Sequence, residues 1–270
     1  MKSAVRNIQE QPNKEEKTRT WSTSILLLLL ALVSISLTTL AWFTIADNTR
    51  LRGIHMDVTT GPAMRFDLDP HDTFERYVKT LTFAEIAGRV QQVYGYSISD
   101  TPMSPVTTGD CSVFTFEDGT VVPADKGTYI TCTLHFVALQ DMYVHLTSAH
   151  AGNTQNGTSI SSPKAGMKES MRIAFVTQGK TWIYDPGMRG DQSVTKGNVK
   201  TFGLPDASNM SYTEDNEMFF LEAEKDLEVQ MYIWLEGTDE YCTNELKGSL
   251  YSIALRFQGT DADGDPLLSE

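Results

Sequence analysis

The sequence lacks the short motifs that mark the common enzyme classes. It contains no H-E-x-x-H pair, no G-x-S-x-G nucleophile elbow, no P-loop and no Rossmann fingerprint. Histidine is scarce, and we expect His135 and His145 on adjacent strands, where histidines are more often surface residues than metal ligands. We therefore predict a protein without catalytic residues, metal ligands or a cofactor. The five histidines are His55, His71, His135, His145 and His150.

Basic residues are outnumbered in this chain. There are 22 Lys and Arg against 35 Asp and Glu, which gives a formal net charge of −13. A protein of this charge is repelled by nucleic acids and by anionic lipid surfaces, so neither is expected as a partner. The acidic balance instead suits a soluble domain at a cell surface.

Cysteine is also rare, and its odd count leaves at least one thiol unpaired. We expect Ser112–Phe116 and Thr128–Thr131 to form a hairpin, whose antiparallel pairing would bring Cys111 and Cys132 together. These two are therefore the candidates for a disulfide, which an extracytoplasmic location permits. Cys242 is then a free thiol, an intermolecular link or, as most buried cysteines are, an inert apolar residue.

One long stretch, Ile25–Ala46, carries no charge and is rich in leucine. As a helix it would be roughly 33 Å long, enough to cross a hydrocarbon core of about 30 Å. The preceding residues 1–24 are polar and contain five Lys or Arg, so they are expected to form a disordered tail in the cytoplasm. The pattern predicts that residues 25–46 insert in the membrane and that the chain from about Asp47 onward lies outside the cytoplasm.

Two fates are open for this stretch. It can remain as a single-pass signal anchor, which its length favours. Alternatively it is a long signal peptide, and the small residues of Ser36–Ala41 then offer a cleavage site at Ala41. The second fate would release the protein to the cell surface.

Alternating apolar residues dominate residues 47–259. The clearest runs are Leu227–Leu235 and Tyr251–Phe257, and Ile54–Val58 with Met64–Leu68 are expected to form an opening hairpin. One helix is predicted after Thr82, because Thr82 and Glu85 stand at capping-box spacing before apolar residues three and four apart. We predict a mainly β domain, an antiparallel β-sandwich of jelly-roll type with one short helix, followed by an acidic tail at 260–270.

Three features offer candidate ligand contacts, each with a simpler interpretation. Tyr232 and Trp234 share a strand face, where they could stack on a sugar or lie under a loop or helix. Glu236 and Asp239 could form a glycosidase carboxylate pair, or could shape a turn in which Glu236 accepts backbone N–H groups. Asp261–Asp265 matches part of a calcium loop but is also typical of a solvated acidic tail.

Two segments resemble the TasA/camelysin-like exported surface proteins of Gram-positive bacteria. The first is Thr39-Leu-Ala-Trp-Phe-Thr44, followed closely by a strand; the second is Ile233–Cys242 followed by Leu250–Phe257, which resembles a final strand pair. The resemblance implies removal of the signal peptide by a dedicated peptidase and a jelly-roll domain. In fibre-forming members it also implies assembly by donation of an N-terminal strand. The long charged tail and long apolar segment of this chain depart from that pattern.

These observations predict a non-enzymatic surface or matrix structural protein, with the membrane as partner through residues 25–46. Further copies of the chain, or other surface proteins, are the other expected partners. A membrane-tethered module that binds carbohydrate or peptide is the main alternative. A secreted hydrolase similar to camelysin is a third.

Overall fold

The computed structural model describes residues 27–30, 49–58, 63–149, 157–189 and 192–267. Leu27–Leu30 are helical and belong to a unit separate from residues 42–270. The predicted tail 1–24, the cleavage site at Ala41 and most of the segment 25–46 lie outside the described residues. Within the described ranges, no helix combines the length and the apolar character needed to cross a membrane.

The domain is mainly β, as predicted, and its described strands form two sheets in a sandwich-like arrangement. The described strands are β1 (Arg50–Val58), β2 (Met64–Asp67), β3 (Thr80–Leu81), β4 (Pro105–Val106), β5 (Ile130–Ala138), β6 (Met142–Leu146), β7 (Ser159–Ser161), β8 (Met171–Thr177), β9 (Lys180–Arg189), β10 (Ser193–Lys196), β11 (Val199–Leu204), β12 (Glu217–Leu221), β13 (Leu227–Glu236) and β14 (Leu250–Thr260). The helices that follow Thr49 are α1 (Phe83–Tyr94) and the single turn α2 (Met167–Ser170).

Sheet I has the order β12-β6-β14-β1-β3, with β7 also beside β14. Sheet II has the order β10-β11-β9-β8-β13-β5-β2, with β4 beside β13. Both sheets are mixed, which corrects the prediction of an antiparallel sandwich. Strand β1 runs parallel to β14, and β9–β11 and β4–β13 are also parallel pairs. Two parallel neighbouring strands need a long crossover connection. The connection between β1 and β14 is nearly the whole domain.

Two predicted strand pairings are wrong. Strands β1 and β2 lie in different sheets, so the opening hairpin does not form, and β13 and β14 are likewise separated. Alternating burial is nevertheless present in each of these strands. The alternation predicts that one face of a strand is buried, but it does not indicate which sheet receives that face.

Phe257 of β14 joins the two sheets across the core. Its ring centroid lies 5.9, 5.2 and 5.6 Å from those of Phe66, Phe136 and Phe175, which belong to three strands of sheet II. All three contacts are edge-to-face, the geometry that aromatic rings prefer. Phe219 of β12 packs on Phe136 from the same side. The side chains facing away from this core therefore belong to the outer faces of the sheets.

Helix α1 begins where the capping box predicts. The Thr82 hydroxyl accepts a hydrogen bond from the Glu85 backbone N–H, and the Glu85 carboxylate accepts one from the Thr82 N–H at 2.7 Å. These bonds satisfy two N–H groups at the start of the helix. The Thr82 N–H and hydroxyl both donate to the Glu85 carboxylate, and these two bonds lower the pKa of Glu85. Ile86 and Val90 face the core, and Gly95, with φ 80°, caps the helix after its last residue, Tyr94.

Replacement of Thr82 by alanine should lower the free energy of unfolding by about 1 kcal/mol, because it removes the hydroxyl that caps α1. Urea titration of the folded domain measures this. Gln92→Ala is the matched control, since Gln92 is exposed on the same helix and should change stability by less than about 0.5 kcal/mol. Equal stabilities of the Thr82 variant and the control would contradict the role of the cap.

Candidate functional site

The predicted binding aromatics lie under a loop. Phe114 stacks on Tyr129 at 4.0 Å and lies 5.5 Å from the rings of both Tyr232 and Trp234. Trp234 is 1% exposed and Tyr232 is half-buried. Neither ring is an open platform for a sugar, so of the two interpretations the covering by a long loop is the correct one.

Beside this aromatic cluster, a groove of about 620 Å³ opens on the face of sheet II that points away from sheet I. Its residues alternate with core residues along the same strands; Arg172, for example, precedes the core residue Ile173. We call it the sheet-face groove. One wall is the loop Thr108–Asp110, and the floor includes Arg172, Ile183, Trp234 and Glu236. The other wall, from the β10–β11 hairpin, presents Val194, Lys196, Asn198, Val199 and Thr201.

The loop wall is held in place by hydrogen bonds. The Thr181 hydroxyl of β9 donates to the Asp110 carbonyl at 3.3 Å, and the Thr108 hydroxyl accepts from the Cys111 N–H at 3.0 Å. The Asp110 carboxylate accepts from the hydroxyl and the N–H of Ser112, and these bonds lower its pKa. Asp110 therefore presents a negative charge to the groove at neutral pH.

Arg172 is the centre of an ion triad at one end of the groove. Its guanidinium lies 2.6 Å from Asp239 and 3.1 Å from Asp185, and the three side chains are only 12–14% exposed. A second nitrogen donates to the Met171 carbonyl at 2.9 Å. Burial raises the pKa of Asp185, and the charge of Arg172 opposes that rise. Asp239 is therefore committed to a structural ion pair.

Glu236 is committed to its own turn. One carboxylate oxygen accepts from the Trp234 indole N–H at 3.0 Å, and the other accepts from the hydroxyl and N–H of Thr238 at 2.7 and 3.2 Å. The Asp239 N–H donates to the Glu236 carbonyl, which closes the turn. The interpretation of Glu236 and Asp239 as turn residues is confirmed by these bonds.

The predicted disulfide between Cys111 and Cys132 is absent, and Cys111, Cys132 and Cys242 are buried thiols. The hairpin that would have joined the first two does not form. Thr115 pairs instead with Thr107 and Val121, while Ile130 onward pairs within sheet II. Burial raises the pKa of all three thiols to about 12, so they are protonated and unreactive at neutral pH.

His135 and His145 are not on adjacent strands, because β5 lies in sheet II and β6 in sheet I. His135 lies 2.8 Å from Asp226, which also accepts from the Tyr77 hydroxyl at 2.7 Å. His71 pairs with Asp67 at 3.0 Å. In the part of the chain that the structure describes, no three or more His, Cys, Asp or Glu are arranged to bind a metal ion. His150 lies outside that part.

The acidic segment after β14 folds back on itself. One oxygen of the Asp261 carboxylate accepts from the N–H groups of Asp263 and Asp265 at 3.0 and 2.9 Å. The Leu267 N–H donates to the Gly259 carbonyl, so the segment to Leu267 is ordered against β14. The described part of the acidic tail, up to Leu267, is therefore a largely solvent-exposed turn in which Asp261 accepts from backbone N–H groups.

The β10–β11 wall of the groove was not assigned from the sequence, because residues 185–216 are rich in Gly, Asn, Asp and Ser, a composition typical of long loops with short strands. A signal for it is present in the sequence. Gly197-Asn198 is a two-residue turn of the kind that joins hairpin strands, and it separates two short alternating runs. Gly197 adopts φ 64°, which such a turn requires.

Comparison with known protein families, with curated proteins and with solved structures found no match for this chain.

Proposed function

We propose that this chain is a non-enzymatic surface or matrix structural protein whose jelly-roll-type domain lies outside the cytoplasm and assembles by exchange of its N-terminal strand. Residues 25–46 would place it at the membrane, as a single-pass anchor or, after cleavage near Ala41, as a released protein. The proposal follows from the apolar segment and the resemblance to exported surface proteins. The single structural observation that supports strand exchange is the position of β1.

Strand β1 fills a slot in sheet I. It pairs with β14 from Arg50 to Val58 and with β3 at Met56 and Asp57. Asp57 also forms an ion pair with Arg256 of β14. The side chains of β1 that face the core are Leu51, Ile54, Met56 and Val58. A β1 strand donated by another copy can make the same bonds and bury the same side chains. The free energies of pairing within one chain and between two copies therefore differ mainly through the entropy of association, which depends on protein concentration.

Variants that each carry one introduced cysteine, beside the three buried native thiols, test this proposal. His55 and Ala254 are opposite each other in the β1–β14 pair, and both are only partly buried. Full chains carrying His55→Cys are mixed with full chains carrying Ala254→Cys, oxidised and examined on a non-reducing gel. Strand exchange predicts a disulfide-linked dimer that increases with protein concentration.

Two controls accompany the mixture. His55→Cys mixed with Lys126→Cys places the second thiol on an exposed surface outside the strand pair and should give no specific dimer. The double variant in one chain should form an internal disulfide and block assembly until it is reduced. Efficient internal crosslinking without any dimer in the mixture, at all concentrations, would refute strand exchange.

A second candidate function is a membrane-tethered module that binds carbohydrate or peptide. The sheet-face groove favours it, because its volume lies within the range of small-molecule sites and polar side chains converge on a partly apolar floor. The two candidates are compatible, since β1 belongs to sheet I and the groove to sheet II.

A further inference from the structure

We infer that the sheet-face groove binds a neutral oligosaccharide. This inference rests on the second candidate function above and specifies the ligand class. The sugar would bind on the open surface between the loop Thr108–Asp110 and the β10–β11 hairpin, and not by stacking on the buried Trp234 ring.

The polar groups of the groove match hydroxyl groups. Asp110 offers a carboxylate acceptor, since only one of its oxygens accepts from Ser112, and Lys196 offers an ammonium donor. Within the described part of the chain, the Lys196 ammonium and the Thr201 hydroxyl have no hydrogen-bond partner. A sugar hydroxyl both donates and accepts, so adjacent hydroxyls can satisfy Lys196 and Asp110 together.

The apolar groups of the groove suit the C–H face of a sugar ring. Ile183, Val194 and Val199 line the same surface, and the Val194 side chain is 62% exposed. This combination of aliphatic floor and mixed donors and acceptors gives orientation through hydrogen bonds and contact area through the aliphatic side chains.

An extended peptide fits the groove less well. Recognition of a peptide as an added strand needs a row of free backbone groups. Of the strands that line this surface, β8 lies between β13 and β9, β9 between β8 and β11, and β11 between β9 and β10. Strand β10 is at the edge of the sheet, but its unpaired backbone groups point away from β11 in the plane of the sheet, not into the groove. The surface therefore offers side chains rather than backbone.

An anionic ligand is disfavoured by charge. Four carboxylates lie in the groove or in the ion triad at its end, against the two cations Arg172 and Lys196. Arg172 is already neutralised by Asp185 and Asp239. Neutral sugars avoid the repulsion that an acidic polymer would meet here.

The test titrates the full chain, in a detergent without a sugar headgroup, with neutral oligosaccharides of three to six glucose, galactose, mannose or N-acetylglucosamine units. Isothermal calorimetry measures the binding. Lys196→Ala and Thr201→Val should each lower the affinity for the sugar, because each removes a hydrogen-bonding group of the groove. For Lys196→Ala the expected loss of affinity is roughly tenfold. Lys126→Ala and Thr120→Val are the matched controls at exposed positions outside the groove and should leave the affinity unchanged.

The outcomes separate this inference from the function on which it rests. If an acidic polysaccharide or a peptide binds instead, and Lys196→Ala removes that binding, the binding module stands and the neutral-sugar ligand is wrong. If a neutral sugar binds equally well to both groove variants, the groove is not its site. If no probe binds, both the inference and the binding module fall, while strand exchange is still decided by the cysteine pairs.

Discussion

Replacement of Arg172 by alanine is expected to lower the free energy of unfolding by about 3–5 kcal/mol. The substitution removes the only cation of the ion triad and leaves Asp185 and Asp239 facing each other with little access to water. It also removes the donor to the Met171 carbonyl. Urea unfolding of wild type and variant at neutral pH measures the loss.

The pH dependence of the Arg172 variant distinguishes charge from packing. Without the guanidinium, the pKa of Asp185 should rise further, because burial already raises it and Asp239 adds to the rise. A carboxyl with a raised native pKa binds its proton more tightly in the folded state, so the stability deficit should shrink as pH falls.

Two outcomes complete this test. Restoring neutrality with Asp185→Asn and Asp239→Asn in the Arg172→Ala background should recover part of the stability. A deficit below about 1 kcal/mol, or one that does not change with pH, would show that the triad contributes little.

The second large effect is a loss of stability in acid caused by His145. This residue of β6 is 2% exposed, and burial lowers its pKa from 6.5 to about 4. Its Nδ1 lies 2.9 Å from the Asn216 side-chain oxygen, which also accepts the Thr213 N–H, so Nδ1 donates. Its Nε2 lies 3.1 Å from the Thr260 hydroxyl. The neutral imidazole thus joins β6, β14 and the segment before β12.

The direction of the effect follows from proton binding. Between pH 6.5 and pH 4 the unfolded chain takes up a proton on His145 and the folded chain does not. The contribution of neutral His145 to the free energy of unfolding is therefore fully present above pH 6.5 and is lost as the pH falls toward 4. A shift of this size corresponds to about 3 kcal/mol.

The variant His145→Gln isolates this contribution, because glutamine keeps a donor and an acceptor but has no imidazole to protonate. The stability difference between wild type and variant should decrease by about 3 kcal/mol from pH 7 to pH 4. Urea unfolding at several pH values measures it. His55→Gln controls for the loss of an imidazole at a half-buried position, and a constant difference between wild type and His145→Gln would contradict the assignment.

The elements that could be predicted from the sequence are those defined by local chemistry. Helix α1 was predicted from Thr82, Glu85 and the apolar spacing, all within a few residues of one another, and the alternation of Leu227–Leu235 is confirmed as β13. The pairings of β1 with β14 and of β2 with β5 join residues far apart in the chain. No local pattern distinguishes those partners from the neighbours expected in a hairpin.

The same limit applies to the site. The alternation places Trp234 opposite the Met231 and Ile233 row, but the ring that covers it, Phe114, comes from a loop more than a hundred residues earlier. Glu236 was correctly interpreted as a turn residue because its partners Trp234 and Thr238 are each only two residues away in sequence. The groove itself depends on five separate segments of the chain that meet only in the folded sheet.

The parallel pair of β1 and β14 also has a consequence expected for the order of folding. Arg50 meets Leu250, so this pairing closes a loop of almost the entire domain and bears a high entropic cost of closure. A chain made from its N-terminus exposes the apolar side of β1 until the segment of β14 has been synthesised. Addition of β1 to sheet I is therefore expected to be a late and slow step, during which β1 is open to chaperones and to aggregation.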